Sequence, residues 1–338
     1  MLDFHEQDHV AAYIEQAIAA HAFLRRQTDL SPRNDELNDV LSSFVRATMK
    51  KRSTREVRAI LAEPRIRAIM PEMQQLAGRA EYAMECFAAA AMLGDVQSKG
   101  LEQYASFENF IYRGNYEALI DREIQALRRK GKHPPIDKER QSAAFVGAGP
   151  LPMSAILYHQ KTGNPVTCID SDAAACDWGR RLIRHLARHV PGCESLADKI
   201  HYAQSAGDQY DYLTHPVVFV ASLVDHKDPV LMRIVNSCRT GGRILIRTAE
   251  GLSRMLYRPY DCIAGLEEYN VYLLQKTKPT PMTVNTSITY TFPPGKLWRR
   301  NKIESEMAAA AAVCNDDLTH LQPVRTRRWR TQAHELVI

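Results

Sequence analysis

Gly147 and Gly149, with Asp170 about 20 residues beyond them, are the residues whose types and spacing most directly suggest chemistry. Glycines let a ligand approach the main chain closely. A helix starting just after them offers unpaired N–H groups, and a carboxylate at that distance accepts hydrogen bonds from both hydroxyls of a ribose. This is nucleoside-binding chemistry. Where a dinucleotide fingerprint would carry another glycine, the chain reads Gly149-Pro150-Leu151-Pro152. Proline removes N–H donors that a pyrophosphate requires, which favours a ligand without phosphates. S-adenosylmethionine is such a ligand.

Strands and helices must hold these residues in place. Residues 143–146 are short and apolar, residues 153–159 can begin a helix, and residues 166–169 form a second apolar run that ends at Asp170. A helix over 173–189 follows, then strands at 200–203, 217–221, 243–247, 270–275 and 285–292, with helices at 229–238 and 252–256 between some of them. The alternation predicts an α/β fold with a doubly wound, Rossmann-like sheet. The last two strands can close it as an antiparallel pair, an ending typical of class I methyltransferase folds. Upstream, residues 1–127 read as helical, with apolar positions at three- and four-residue spacing over 10–24, 37–49 and 73–92. Ser31-Pro32 and Glu63-Pro64 mark helix boundaries. A last helix over 116–129 runs into Lys130-Gly131-Lys132-His133-Pro134-Pro135, a linker. The expected organisation is an all-α N-terminal domain over 1–135, a Rossmann-like domain over 136–293, and an extension over 294–338. That extension holds an alanine-rich helix around 303–313 and a basic tail to which the sequence assigns no role.

Composition narrows the classes. With 338 residues, 45% hydrophobic and 25% charged, the chain can bury a sizeable core. No apolar run reaches the roughly 18 residues that cross a membrane, and residues 1–10 lack a signal pattern, so the expected location is the cytoplasm. The net charge of +5 is mild, and bases alternate with acids, so nucleic acid is not the expected partner. Seven cysteines without a Cys-x-x-Cys pair suggest neither a disulfide framework nor a zinc knuckle. His185 and His189 lie four apart on one helix, but no further ligand is close in sequence, so no metal is expected.

In an open parallel sheet, ligands sit beyond the carboxyl ends of the strands. The cofactor candidates there are Gly147, Gly149, Pro150 and Leu151 after the first strand, and Asp170 after the second. Ser205 and Ala206 follow the third, where the adenine amine can find a partner, Ser222 and Leu223 follow the fourth, and Arg247 ends the fifth. Asp172 reads as a helix cap. Loops of any α/β domain carry glycines and acids; the order and spacing of the whole set are what give it weight.

The string Phe145-Val146-Gly147-Ala148-Gly149-Pro150-Leu151-Pro152 resembles the signature of the nicotianamine synthase family, and Arg247-Thr248-Ala249-Glu250-Gly251 with Leu256-Tyr257 is similar to its later motif. Phe110-Ile111-Tyr112-Arg113-Gly114-Asn115-Tyr116 followed by Glu123, the helix around Glu81 to Phe87, and Val284-Asn285-Thr286-Ser287 extend the resemblance. A doubled tyrosine of the family is here Tyr112-Arg113. The resemblance implies transfer of the 3-amino-3-carboxypropyl group of S-adenosylmethionine to an amine, with release of methylthioadenosine. The bacterial branch implies a single transfer to an amino acid, histidine first, in metallophore biosynthesis, with an opine dehydrogenase as the downstream pathway partner. A homodimer is left open.

Such a transfer needs a deprotonated amine held in line with a methylene carbon, and a base for the ammonium proton. Glu85, mid-helix in an apolar neighbourhood, is the candidate base, and Glu81 one turn earlier competes for that role. Tyr112 is the candidate to sit over the reacting centre, with Glu81, Tyr116 and Glu250 as substrate contacts. Arg247 can pair with a substrate carboxylate or brace Glu250. Two other readings use the same pocket: a small-molecule methyltransferase, and a non-catalytic module that binds S-adenosylmethionine. A dinucleotide dehydrogenase is disfavoured by Pro150 and Pro152.

Overall fold

The computed structural model describes residues 4–129, 142–238, 242–260, 266, 270–280 and 282–292. The expected linker, the extension over 294–338 and its helix and basic tail lie outside the described residues.

Seven strands form one sheet in the order β3-β2-β1-β4-β5-β7-β6. These are β1 (Ala143–Val146), β2 (Val166–Asp170), β3 (Ile200–Gln204), β4 (Val217–Val220), β5 (Gly242–Thr248), β6 (Tyr272–Lys276) and β7 (Thr286–Phe292). Strands β1 to β5 pair in parallel, and β7 runs antiparallel to both β5 and β6. The antiparallel ending expected from the sequence is present. The pleat sends alternate residues to opposite faces. Ala143 and Phe145 of β1 join one core with helices α7 (Met153–Thr162) and α8 (Ala173–His189), while Ala144 and Val146 join another with α10 (Lys227–Ser237). Both faces are covered, which is why β1 and β4 are apolar throughout.

The N-terminal helices are α1 (Phe4–Leu24), α2 (Asp35–Met49), α3 (Thr54–Ala62) and α4 (Pro64–Leu93), followed by α5 (Glu102–Ala105) and α6 (Arg113–Leu127); a ninth short helix, α9 (Leu196–Lys199), precedes β3. Pro64 begins α4, where a missing N–H does no harm, and Gly94 ends it in a left-handed conformation. The sequence pattern caught only the second half of α4. The helix runs on through Pro71, which forfeits one backbone hydrogen bond. Ser53 and Glu56 form a capping box on α3, a helix the periodicity did not reveal.

Two cores tie these helices to the sheet half. Leu252, Met255 and Leu256, on and beside a short 3-10 helix (Gly251–Met255), pack with α1 to α4. Phe87, Ala88 and Met92 of α4 and Ile120 and Ile124 of α6 pack with Phe145, Leu151 and Met153. Gln74 adds a 2.6 Å hydrogen bond to the Arg254 carbonyl, and Tyr82 donates to Asp172 at 2.5 Å. The second half of α4 is thereby held against the carboxyl ends of β1 and β2. No described helix is long and apolar enough to cross a membrane.

Candidate functional site

Strand order reverses between β1 and β4, and a ligand crevice is expected beyond their carboxyl ends. A cavity of about 840 Å³ opens there, walled below by the strand-end loops and above by α2, α4 and α6. Its size is that of a small-molecule site.

The floor is built by the glycine turn. Gly147 and Gly149 have φ of 73° and 67°, a region that glycine alone enters without strain. A Cβ on Gly149 would lie 2.6 Å from Oε2 of Glu85, so the turn and the Glu85 carboxylate meet face to face. Asp170 accepts from the Gly149 N–H at 2.9 Å and the Asp172 N–H at 3.0 Å, and Tyr202 donates to the Gly149 carbonyl at 2.8 Å. Burial raises the Asp170 carboxyl above its ordinary value, although these N–H bonds oppose the shift. Asp172 caps α8, accepting from the Ala174 N–H at 2.9 Å.

This end of the cavity is completed by Ser205, Ala206, Gly207 and Asp208 after β3, and by Ser222, Leu223 and Val224 after β4. Ser222 Oγ is buried without a hydrogen-bond partner, an orphan donor in the cavity wall. Lys227 reaches back from α10 to the carbonyls of Ser222 and Val224 at 2.9 and 2.6 Å, fixing this loop. Burial lowers its ammonium to about 8.

Opposite the floor stand two carboxylates one turn apart on α4. Tyr116 of α6 donates to Glu85 at 3.2 Å, and Tyr257 donates to Glu81 at 2.8 Å. Burial raises the Glu85 carboxyl well above its ordinary value; the neighbouring Glu81 and Asp170 add to this, and Tyr116 and Arg247 oppose it. Glu81 is raised by burial, with Tyr257 and Arg247 opposing. Both tyrosines are pushed well up, first by burial, so they remain protonated donors. Tyr112, at the start of α6, also lines the cavity and packs edge-on against Phe110 and Tyr104, with centroids 5.8 and 6.5 Å away.

Arg247 faces the cavity from β5, but Glu250 is not its partner. Its Nε and one terminal nitrogen bond the Glu123 carboxylate at 2.9 and 2.8 Å, and its other terminal nitrogen bonds Ser154 at 3.0 Å. Ser287 adds a 2.7 Å bond to Glu123, which is 0% exposed. Burial disfavours the Arg247 charge, and Glu123, with Tyr116 and Glu81 adding to it, more than offsets this. A guanidinium has five N–H donors, so this clamp leaves two at the end of the fork.

Glu250, expected as a substrate contact, is not part of the cavity wall; Lys276 and Thr286 hold its carboxylate beside β6 and β7. Pro150 is buried and likewise absent from the wall, because Gly149 and Leu151 face inward on either side of it. The other expected residues are brought together: Gly147, Gly149, Leu151, Asp170, Ser205, Ala206, Ser222, Leu223, Arg247, Glu81, Glu85, Tyr112 and Tyr116 all line the cavity. Reasoning from sequence passed over Glu123 and Tyr257 as site residues. A lone acid among Leu119, Ile120, Ile124 and Leu127 on the buried face of α6 was the available signal, since such an acid needs a partner. Among the described residues no three of His, Cys, Asp and Glu gather as metal ligands.

The family model described as nicotianamine synthase protein matches residues 5–291. The chain is 26% identical over 136 residues to L-histidine 2-aminobutanoyltransferase of Pseudomonas aeruginosa (strain UCBPP-PA14), covering 40% of this chain and 48% of that protein, so the match spans about half of that relative. It is 28% identical over 268 residues to nicotianamine synthase 2 of Oryza sativa subsp. japonica, covering 75% and 74% of the two chains. A crystal structure of an MtNAS variant in complex with S-adenosylmethionine is similar with a TM-score of 0.65 at 18% identity, covering 83% of this chain and 98% of that one, a likeness of fold. The family match extends from α1 into β7 and so takes in every element that walls the cavity: this chain belongs to the nicotianamine synthase family.

Proposed function

We propose that this chain transfers the 3-amino-3-carboxypropyl group of S-adenosylmethionine to the amine of an amino acid, histidine first, and releases methylthioadenosine. The observation that carries this reading is the placement of Glu85. Its half-buried carboxylate lies against Gly149 at the floor of the cavity, with Tyr116 as its partner. A plain nucleoside-binding module has no use for such a group.

The residues present fit the donor. Asp170 would take the ribose hydroxyls, Ser222 and the loop over 205–208 the adenine edge, and the free end of the Arg247 fork the donor's carboxylate. S-adenosylmethionine supplies, when bound, an electrophilic methylene carbon on a sulfonium that leaves as a neutral thioether. Because that leaving group needs no acid, the protein's work is to orient the acceptor, exclude water and hold one proton. Glu85 takes the proton from the acceptor ammonium, and its raised affinity for a proton suits it to that role. Tyr116 and Tyr112 fix the base and flank the arm. Glu81, tied to Tyr257, supplies a second negative charge that favours the cationic ligands.

The name of the Pseudomonas aeruginosa relative supports histidine as acceptor; the family resemblance in turn implies a place in metallophore assembly, where an opine dehydrogenase would consume the product. The helices before residue 130 act in this reading as the acceptor-side domain over the Rossmann-like one. The nucleoside product tests the reaction class. With S-adenosylmethionine and histidine, methylthioadenosine is expected; S-adenosylhomocysteine would instead establish methyl transfer, and neither product would favour a binding module.

A further inference from the structure

Helix α2 turns two parallel columns toward the cavity. Leu37, Leu41 and Val45 form an apolar column, and Asn38, Ser42 and Arg46 form a polar one, each at four-residue spacing. Residues four apart stack on one helix face, and each column extends about 12 Å along the axis. The stripe begins at Leu37, whose N–H the Asn34 cap accepts, and Arg46 stands in the last turn of the helix.

The charges of the cavity wall are unbalanced. Its acids are Glu81, Glu85, Asp170, Asp208 and Asp225; apart from His226, its only basic residues among those described are Arg46 and Arg247. Two amino acid carboxylates must be accommodated in the transfer proposed above, one from the donor and one from the acceptor. Arg247 is clamped by Glu123 and Ser154 and lies over the strand ends, with one open fork. Arg46 lines the cavity from α2, exposed to solvent, and no described carboxylate pairs with it. Asn38 uses one amide N–H on the Pro32 carbonyl at 2.7 Å, which leaves its side-chain oxygen for a ligand donor.

We infer that the polar column of α2 reads the acceptor, with Arg46 binding the acceptor's α-carboxylate while Asn38 and Ser42 contact its side chain. The substrate class that follows is an α-amino acid rather than a simple amine or polyamine. This inference rests on the transferase reading and assigns to α2 the choice of acceptor, separate from the choice of donor.

The test compares histidine with histamine, which lacks only the carboxylate. The wild-type chain should prefer histidine strongly, and Arg46→Gln should raise the KM for histidine roughly 10- to 100-fold, the range expected for losing a charged hydrogen-bonded contact. KM for S-adenosylmethionine should stay unchanged, the preference over histamine should collapse, and Arg46→Lys should restore part of it. Calorimetric binding of histidine to the chain loaded with methylthioadenosine gives the same comparison without turnover. Thermal unfolding checks that the variant is folded, which an exposed position at a helix end permits. A histidine-to-histamine ratio unchanged by Arg46→Gln, or a rise confined to the KM for S-adenosylmethionine, would overturn the inference alone. Failure of the wild-type chain to release methylthioadenosine with any amino acid would overturn the transferase reading and this inference with it.

Discussion

At the scale of residues, the site turns on how much protein surrounds each acid. Glu85 and Glu81 sit one turn apart on α4, both half-buried in the cavity wall, and each is answered by a tyrosine hydroxyl rather than a cation. Burial disfavours the ionisation of both, and for Glu85 the neighbouring Glu81 adds to this. A base works only when deprotonated, so activity should fall as pH drops through a value above the ordinary carboxylate range. Glu85→Gln should lower kcat/KM by roughly 10²- to 10⁴-fold while leaving donor binding in place. Glu81→Gln removes a negative neighbour and should move the acid limb of the pH–rate profile to lower pH. Asp170 also faces Glu85, so part of the upward shift should survive that change. A limb that stays where it is would show that Glu81 does not act through Glu85.

At the scale of elements, α6 and β5 are joined by a buried ion pair. Glu123 is fully enclosed and spends its oxygens on Arg247 and Ser287. Removing one charge of such a pair strands the other, so Glu123→Gln should destabilise the fold by about 3–5 kcal/mol in denaturant unfolding. It should also raise the KM for the donor by loosening Arg247. The strand ends that surround this pair were legible in the sequence, because glycine turns, strand spacing and Asp170 depend on local chain geometry. Asp172 as the α8 cap was legible for the same reason. The partner of Arg247 was not. Glu123 lies 124 positions away on a helix whose approach to β5 is set by packing, and the nearby Glu250 offered a closer partner along the chain. The stripe on α2 was overlooked for a related reason: its polar column reads as an ordinary solvated face until the cavity beneath it is seen.

At the scale of the whole molecule, helices and sheet are built around a shared cavity. One core draws on α4 and α6 together with β1 and α7, and another draws on α1 to α4 together with the segment after β5. In the proposed reading the sheet supplies the floor for the donor, and the helices supply the base and the wall that meets the acceptor. On that reading, the helical layer sets which carbon of the donor reacts. The most direct measurement follows two labels, one in the methyl group of S-adenosylmethionine and one in its amino acid arm, during turnover with histidine. The expected result is the arm label on the histidine amine and the methyl label in methylthioadenosine. A methyl label on the acceptor, with the arm label left in the nucleoside product, would contradict the proposed reaction.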